Sequence, residues 1–326
     1  TGLNWDRAVG ILAENGFTDF ILNACWAGTA HYDSSLLSVA PEVATRGDQV
    51  KECLAACRKH GVKLHVWRVC WNMGWKVPEA FVAKMKREGR TQVDKDGMSE
   101  PKWLCPSHPD NQKLEIAAML EIAKKYAVDG IHFDYIRYAS SKFCFCTGCR
   151  RRFEESLGSK VKNWPGDVVK SGDLNRKWLD FRRKNITAVV AAVSREAKAI
   201  RPGLSVSAAV FSDWARDRDD IGQDWKLWCD SGYLDFVCPM DYTTSSHDFR
   251  TMVAKQLKWA GKTRLYPGIG LSLWPSSDRM ARLIEQVGTV RELGAAGFAI
   301  FNYGPSEARE ILPLCGMGLT KEREER

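Results

Sequence analysis

Four cysteines have the residue type and spacing of a metal site. Cys144, Cys146 and Cys149 form a C-x-C-x-x-C triplet, and Cys105 lies upstream. Together they offer four thiolates, the ligand set of a closed, tetrahedral structural zinc site. Zn2+ held in this way would tie the loop at about 139–153 to the start of the helix before it. Four protein ligands leave no open position for a catalytic water, so the metal would mark the catalytic neighbourhood without taking part. Three cysteines within six residues, beside Arg150, Arg151 and Arg152, argue against scattered thiols. The remaining seven, Cys25, Cys53, Cys57, Cys70, Cys229, Cys238 and Cys315, sit mostly in apolar patterns, where free cysteine packs as a small hydrophobe.

The cysteines bracket Asp129-Gly-Ile-His-Phe-Asp-Tyr-Ile-Arg-Tyr138, an apolar run that ends in ionisable residues. Asp134 closes the run Ile131-His-Phe133, and Asp241 closes Phe236-Val-Cys-Pro-Met240. An inward-facing aspartate at a strand end is costly to bury unless it is hydrogen-bonded or used. Cleavage of a glycosidic bond needs two carboxyl groups, one to protonate the leaving oxygen and one to act as nucleophile or to activate water. Asp134 and Asp241 are the expected pair, with Asp134 the general acid or principal carboxylate. Against this stand an ion pair of Asp134 with Arg137 and a hydrogen-bonding role for Asp241. Asp213 is the substitute, unless it is a solvated acid of the loop Phe211–Asp220. Trp71, Tyr135, Arg137, Tyr242 and Asn302 are expected to bind sugar. Arg68 could clamp a carboxylate or form a structural salt bridge. Thirteen tryptophans supply flat faces of the kind that pack on sugar rings, although most are expected in the core.

Seven apolar, β-branched or aromatic runs must position these residues: Phe17–Asn23, Lys63–Cys70, Gly130–Ile136, Leu204–Phe211, Leu234–Met240, Arg264–Leu271 and Gly297–Phe301. Helical patterns lie between them. Asp48 caps a helix Gln49–His60 that Gly61 stops; Pro109 opens one reaching about Tyr126; Asp173 starts one ending near Ile200; Asp278 starts one reaching Leu293. Alternation of strand and helix predicts a parallel sheet with crossover helices. Strands that are almost continuously apolar are buried on both faces. No G-x-G-x-x-G follows the first run, which disfavours a nucleotide-binding sheet. The expected fold is a single (β/α)8 TIM barrel over residues 1–318, followed by a charged tail, 319–326. Its first strand is expected upstream of residue 1, because the chain opens on a helical pattern, Asn4 to Asn15. In such barrels the working residues gather at the C-terminal ends of the strands.

The 326 residues carry a net charge of +8, but Lys and Arg are interspersed with acids, as in solvated faces. No stripe combines basic and aromatic residues in a nucleic-acid module, so a carbohydrate is the expected partner and nucleic acid is not. No apolar run reaches the roughly 18 residues of a membrane span.

Leu104-Cys-Pro-Ser-His-Pro109, Asp129–Tyr138, Cys144–Phe153 and Met240-Asp-Tyr-Thr-Thr244 resemble the bacterial glycosyl-hydrolase-like 10 family. The resemblance spans most of the chain and implies a barrel glycoside hydrolase acting on a polysaccharide or oligosaccharide, secreted or periplasmic. The cysteine pattern is similar to the zinc cluster of glycoside hydrolase family 42 β-galactosidases, which maps Cys105, Cys144, Cys146 and Cys149 onto zinc ligands. The acid/base does not transfer, because that family has Asn-Glu where this chain has Tyr135-Ile136. Family 18 chitinases read Asp-Gly-Ile-Asp-x-Asp-x-Glu at the same strand, and here Ile136 replaces the glutamate. A barrel that binds carbohydrate without cleaving it is therefore the alternative expectation.

Overall fold

A computed structural model describes residues 4–320; Thr1–Leu3 and most of the charged tail lie outside the described residues. An eight-stranded sheet runs in the order Arg264–Leu265, Phe236–Pro239, Ser205–Val210, Gly130–Asp134, Lys63–Val69, Asp19–Trp26, and two short strands, Thr29–Ala30 and Ser38–Val39. The strands from Asp19 to Leu265 that alternate with helices pair in parallel. A parallel bridge from Met240 to Gly268 continues the sheet into Gly268–Gly270, which pairs with Ala299–Phe301. This is (β/α)8-barrel architecture, and all seven strands expected from the apolar runs are present.

Helix boundaries follow from local chemistry. The Asp48 carboxylate accepts from the Lys51 N–H, and Gly61 ends that helix at φ +70°, a conformation that costs glycine little. The Asn4 side chain caps Trp5–Glu14 through the Arg7 N–H. Asp173–Ile200 spans 28 residues and buries Trp178, Arg182, Ile186, Val189, Val190, Val193 and Ala197 at helical spacing. Each large aliphatic residue buried on such a face contributes roughly 1.5–3 kcal/mol.

Alternation along the strands sorts side chains between the barrel interior and the helix layer. His65 and His132 both face the Phe236 ring, with centroids 5.3 and 6.3 Å away, and Trp67 meets Phe301 at 6.2 Å. These residues fill the interior. His132 hydrogen-bonds Ser207 Oγ at 2.8 Å, and burial lowers its pKa to about 3, so it is a neutral core residue. Arg68 has the opposite parity to Trp67 and points to the helix layer.

Candidate active site

Asp134 is the last residue of its strand, level with Val69 and, through it, with Trp26. Its side chain is buried at the C-terminal rim, and Oδ1 accepts the Tyr135 N–H at 2.6 Å. Burial raises its pKa to about 6, while the Tyr135 N–H and the Arg137 charge pull the other way. Tyr135 has φ +54°, an uncommon conformation for a bulky residue, and the turn it makes lets the Arg137 N–H donate to its carbonyl at 2.7 Å.

Arg137 is buried in an aromatic cage. Its guanidinium lies 4.6 Å from the Phe211 ring, 4.8 Å from Tyr135 and 5.2 Å from Trp103, and Nη1 donates to the Tyr138 and Ala139 carbonyls. Across the rim, Tyr242 stacks on Phe301 with centroids 5.6 Å apart and planes at 21°, and both rings are partly exposed. Gly270 lets the Tyr242 ring approach closely, since a Cβ on it would lie 3.1 Å from that ring. Burial raises the Tyr242 pKa, and the Asp134 charge adds to the rise. Asn302, next to Phe301, is exposed. The arrangement is one buried carboxyl whose pKa is raised toward neutrality, beside a caged guanidinium and an aromatic floor.

Other expected contacts lie elsewhere. Arg68 is fully buried, with Nε donating to Glu115 Oε2 at 2.7 Å and Nη1 to the Trp26 carbonyl at 3.1 Å. It clamps a carboxylate, but that of Glu115, and has no surface to offer a substrate. Trp71 is likewise fully buried; at φ +62°, its N–H donates to Glu115 Oε1 at 3.0 Å. Its ring has no surface to offer a ligand. Asp241 is 1% exposed, and its Oδ1 accepts Gln256 Nε2 at 2.6 Å. Burial raises its pKa to about 8, so it is mainly protonated at neutral pH. Asp213 is half-buried just beyond Phe211, with no side-chain cap hydrogen bond.

Glu115, Trp103 and Phe301 join the site without having stood out in the sequence. Glu115 sits at the buried helical positions of Asn111, Ala118, Met119 and Ile122, an acid on an apolar face that signals a partner. Phe301 was accessible as the aromatic residue preceding Asn302 at a strand end. Trp103 had no signal of its own, because only the fold brings its hairpin against Tyr135.

The four cysteines converge as expected. Cys105, Cys144, Cys146 and Cys149 are buried, with all Sγ atoms within 4.8 Å of one another. Cys105 Sγ lies 3.4 Å from Cys149 Sγ and 3.9 Å from Cys146 Sγ. Four sulfurs around zinc at about 2.3 Å span edges of roughly 3.8 Å, so the donor set fits that ion. Around it, the Val93 N–H donates to Cys144 Sγ at 3.3 Å, and Arg152 donates to Ser107 Oγ, itself 3.0 Å from Cys149 Sγ. These polar neighbours favour the thiolate form.

A glycosyl hydrolase DigH from Escherichia coli K12 is 24% identical over 250 residues, covering 68% of this chain and 53% of its own. The chain thus spans about half the length of the curated relatives it matches. The glycoside hydrolase domain of PgaB from Bordetella bronchiseptica superposes with a TM-score of 0.74 at 14% identity, over 96% of this chain and 91% of that one. A GH42 β-galactosidase from G. stearothermophilus gives 0.64 at 12% identity, over 97% and 53%. These structures share the fold. The family model described as glycosyl hydrolase-like 10 matches residues 19–272, and the chain belongs to that family.

Proposed function

We propose that the chain hydrolyses glycosidic bonds of a polysaccharide or oligosaccharide, with Asp134 as general acid. The observation that carries this reading is a carboxyl at a barrel-strand tip whose pKa burial raises to about 6, beside partly exposed aromatic rings. A protonated Asp134 would deliver its proton to the glycosidic oxygen as the bond to the anomeric carbon breaks, leaving oxocarbenium character on the sugar. Tyr242 and Phe301 would support the ring, with Tyr135, Arg137 and Asn302 around it. Asp213 is assigned the second carboxyl role, because Asp241 is protonated and engaged with Gln256. Asp241 then acts as a positioning residue for Tyr242, the next residue in the chain.

The test is turnover of a panel of soluble polysaccharides by the wild type and Asp134→Asn. Loss of about 10²–10⁴-fold in the variant supports the assignment, given the usual weight of general acid catalysis. Equal turnover refutes it. Ile136, standing where a glutamate serves related barrels, favours the competing reading of a barrel that binds glycans without cleaving them. Binding across the panel with no turnover by the wild type would establish that instead.

The cluster of Cys105, Cys144, Cys146 and Cys149 is proposed to hold Zn2+. A closed four-thiolate site supplies no Lewis acid to a substrate; bound there, the ion cross-links the chain. The protein's residues do the rest: Cys105 ends the Thr91–Leu104 hairpin that carries Trp103, and the other three start the loop and helix after Asp134.

A further inference from the structure

On the same rim as Asp134, the loops leaving the first two strands form a half-open cavity of roughly 210 Å3, lined by Thr29, His31, Ala40, Pro41, Glu42 and Lys76. Both loops start at the level of the proposed acid, since Trp26 pairs with Val69 and Val69 with Asp134. The Thr29 Oγ1 is buried without a hydrogen-bond partner. Leaving such a hydroxyl unpaired costs about 1–3 kcal/mol, a cost relieved if the Thr29 side chain turns its Oγ1 into the cavity onto a ligand hydroxyl. The half-buried His31 ring makes no side-chain hydrogen bond among the described residues, and burial keeps it neutral, able to donate and accept at once. Lys76 is paired with Glu42 at 2.9 Å, so the lining has no free charge of either sign. Trp75, adjacent in the chain, is 86% exposed, and Lys102 Nζ sits 5.1 Å from its ring.

We propose that this cavity and Trp75 form a distal subsite for one uncharged sugar ring of the same glycan whose bond is cleaved at Asp134. The proposal rests on the glycan reading above. Neutral hydrogen-bonding groups without protein partners match sugar hydroxyls, which donate and accept together. An anion is disfavoured because the one lysine in the lining already carries a carboxylate. The volume lies below the roughly 300–1,000 Å3 of sites for drug-sized ligands, which suits a single ring and not a disaccharide. The exposed Trp75 indole, one residue along the chain from the lining Lys76, offers the face away from Lys102 for a neighbouring ring to stack on.

The experiment is native affinity electrophoresis through gels containing glycol chitin, hydroxyethyl-cellulose or xylan. It compares Asp134→Asn alone, the same chain with Trp75→Ala, with Thr29→Val, and with Tyr242→Ala. Trp75 is so exposed that its replacement leaves the fold intact, and circular dichroism verifies this for Thr29→Val. The subsite predicts retardation by at least one polysaccharide, weakened roughly five- to tenfold by Trp75→Ala, the size of one aromatic contact, and also by Thr29→Val. Retardation unchanged by both rim substitutions but lost with Tyr242→Ala overturns the subsite and leaves the cleft reading standing. Retardation lost with the rim substitutions and unchanged by Tyr242→Ala keeps a glycan site here and removes the cleft. No retardation in any gel overturns both.

Discussion

Asp134 and Asp241 read alike in the sequence, each an acid closing an apolar strand, and the folded chain separates them. Asp134 is bonded to a backbone N–H beside an arginine, whereas among the described residues the Asp241 carboxyl hydrogen-bonds only the Gln256 amide. The difference predicts how stability follows pH. Burial puts the Asp241 pKa at about 8 in the folded chain, against an ordinary 3.8, so the folded state holds this proton more tightly than the unfolded one. Its contribution is complete below about pH 4 and drains as the pH climbs through about 8, a loss on the order of a few kcal/mol. Asp241→Asn keeps an acceptor for Gln256 and cannot ionise. Denaturant melts from pH 5 to 9 should show a flatter stability curve for the variant; parallel curves would show that Asp241 ionises freely. Arg68 and Trp71 were legible as unusual residues but not as buried ones. Whether a polar strand residue faces the interior or the helices depends on parity, which fixes only when the register is known. Glu115→Gln, which strips the charge facing a fully buried guanidinium, should cost about 3–5 kcal/mol in urea unfolding. A loss under 1 kcal/mol would mean the pair is dispensable.

At the scale of elements, the Thr91–Leu104 hairpin joins the thiolate cluster to the cleft. Its Val93 N–H meets Cys144, Cys105 follows its last residue, and Trp103 packs on Tyr135 with centroids 5.5 Å apart. Gln92 adds a link, accepting the Ala139 N–H and donating to the Leu104 carbonyl. Metal content by plasma mass spectrometry should give one zinc per chain. Cys149→Ser should lose it and lower the Tm by roughly 5–10 °C, as expected when a structural site fails. Zinc-free wild-type protein with the same Tm would contradict the assignment. The cluster was legible because four thiols at metal spacing have few other uses. The hairpin's role was not, since nothing local in Ser99–Leu104 says which surface it will cover. Helix limits were legible almost to the residue where Asp48 and Gly61 supply a side-chain cap and a left-handed stop.

Across the whole molecule, the barrel was readable because seven apolar runs alternate with capped helices; six became single strands, and Arg264–Leu271 split into Arg264–Leu265 and Gly268–Gly270. What the alternation could not supply was which strand tips share a wall. Asp134, Tyr242 and Phe301 come from separate strand ends, and only continuation of the sheet from Met240 through Gly268–Gly270 to Ala299–Phe301 brings Phe301 over Tyr242. The cleft is thus a property of the assembled cylinder, with Asp134 as its one carboxyl tuned toward neutrality. The direct test of that claim is the pH dependence of kcat/KM, followed as reducing-sugar release from the polysaccharide that the wild type cleaves best. An acid with a pKa of about 6 predicts activity that falls tenfold per pH unit above that value and a variant, Asp134→Asn, without this limb. A wild-type profile flat from about pH 5 to 9, or an Asp134→Asn variant that keeps the falling limb, would contradict it.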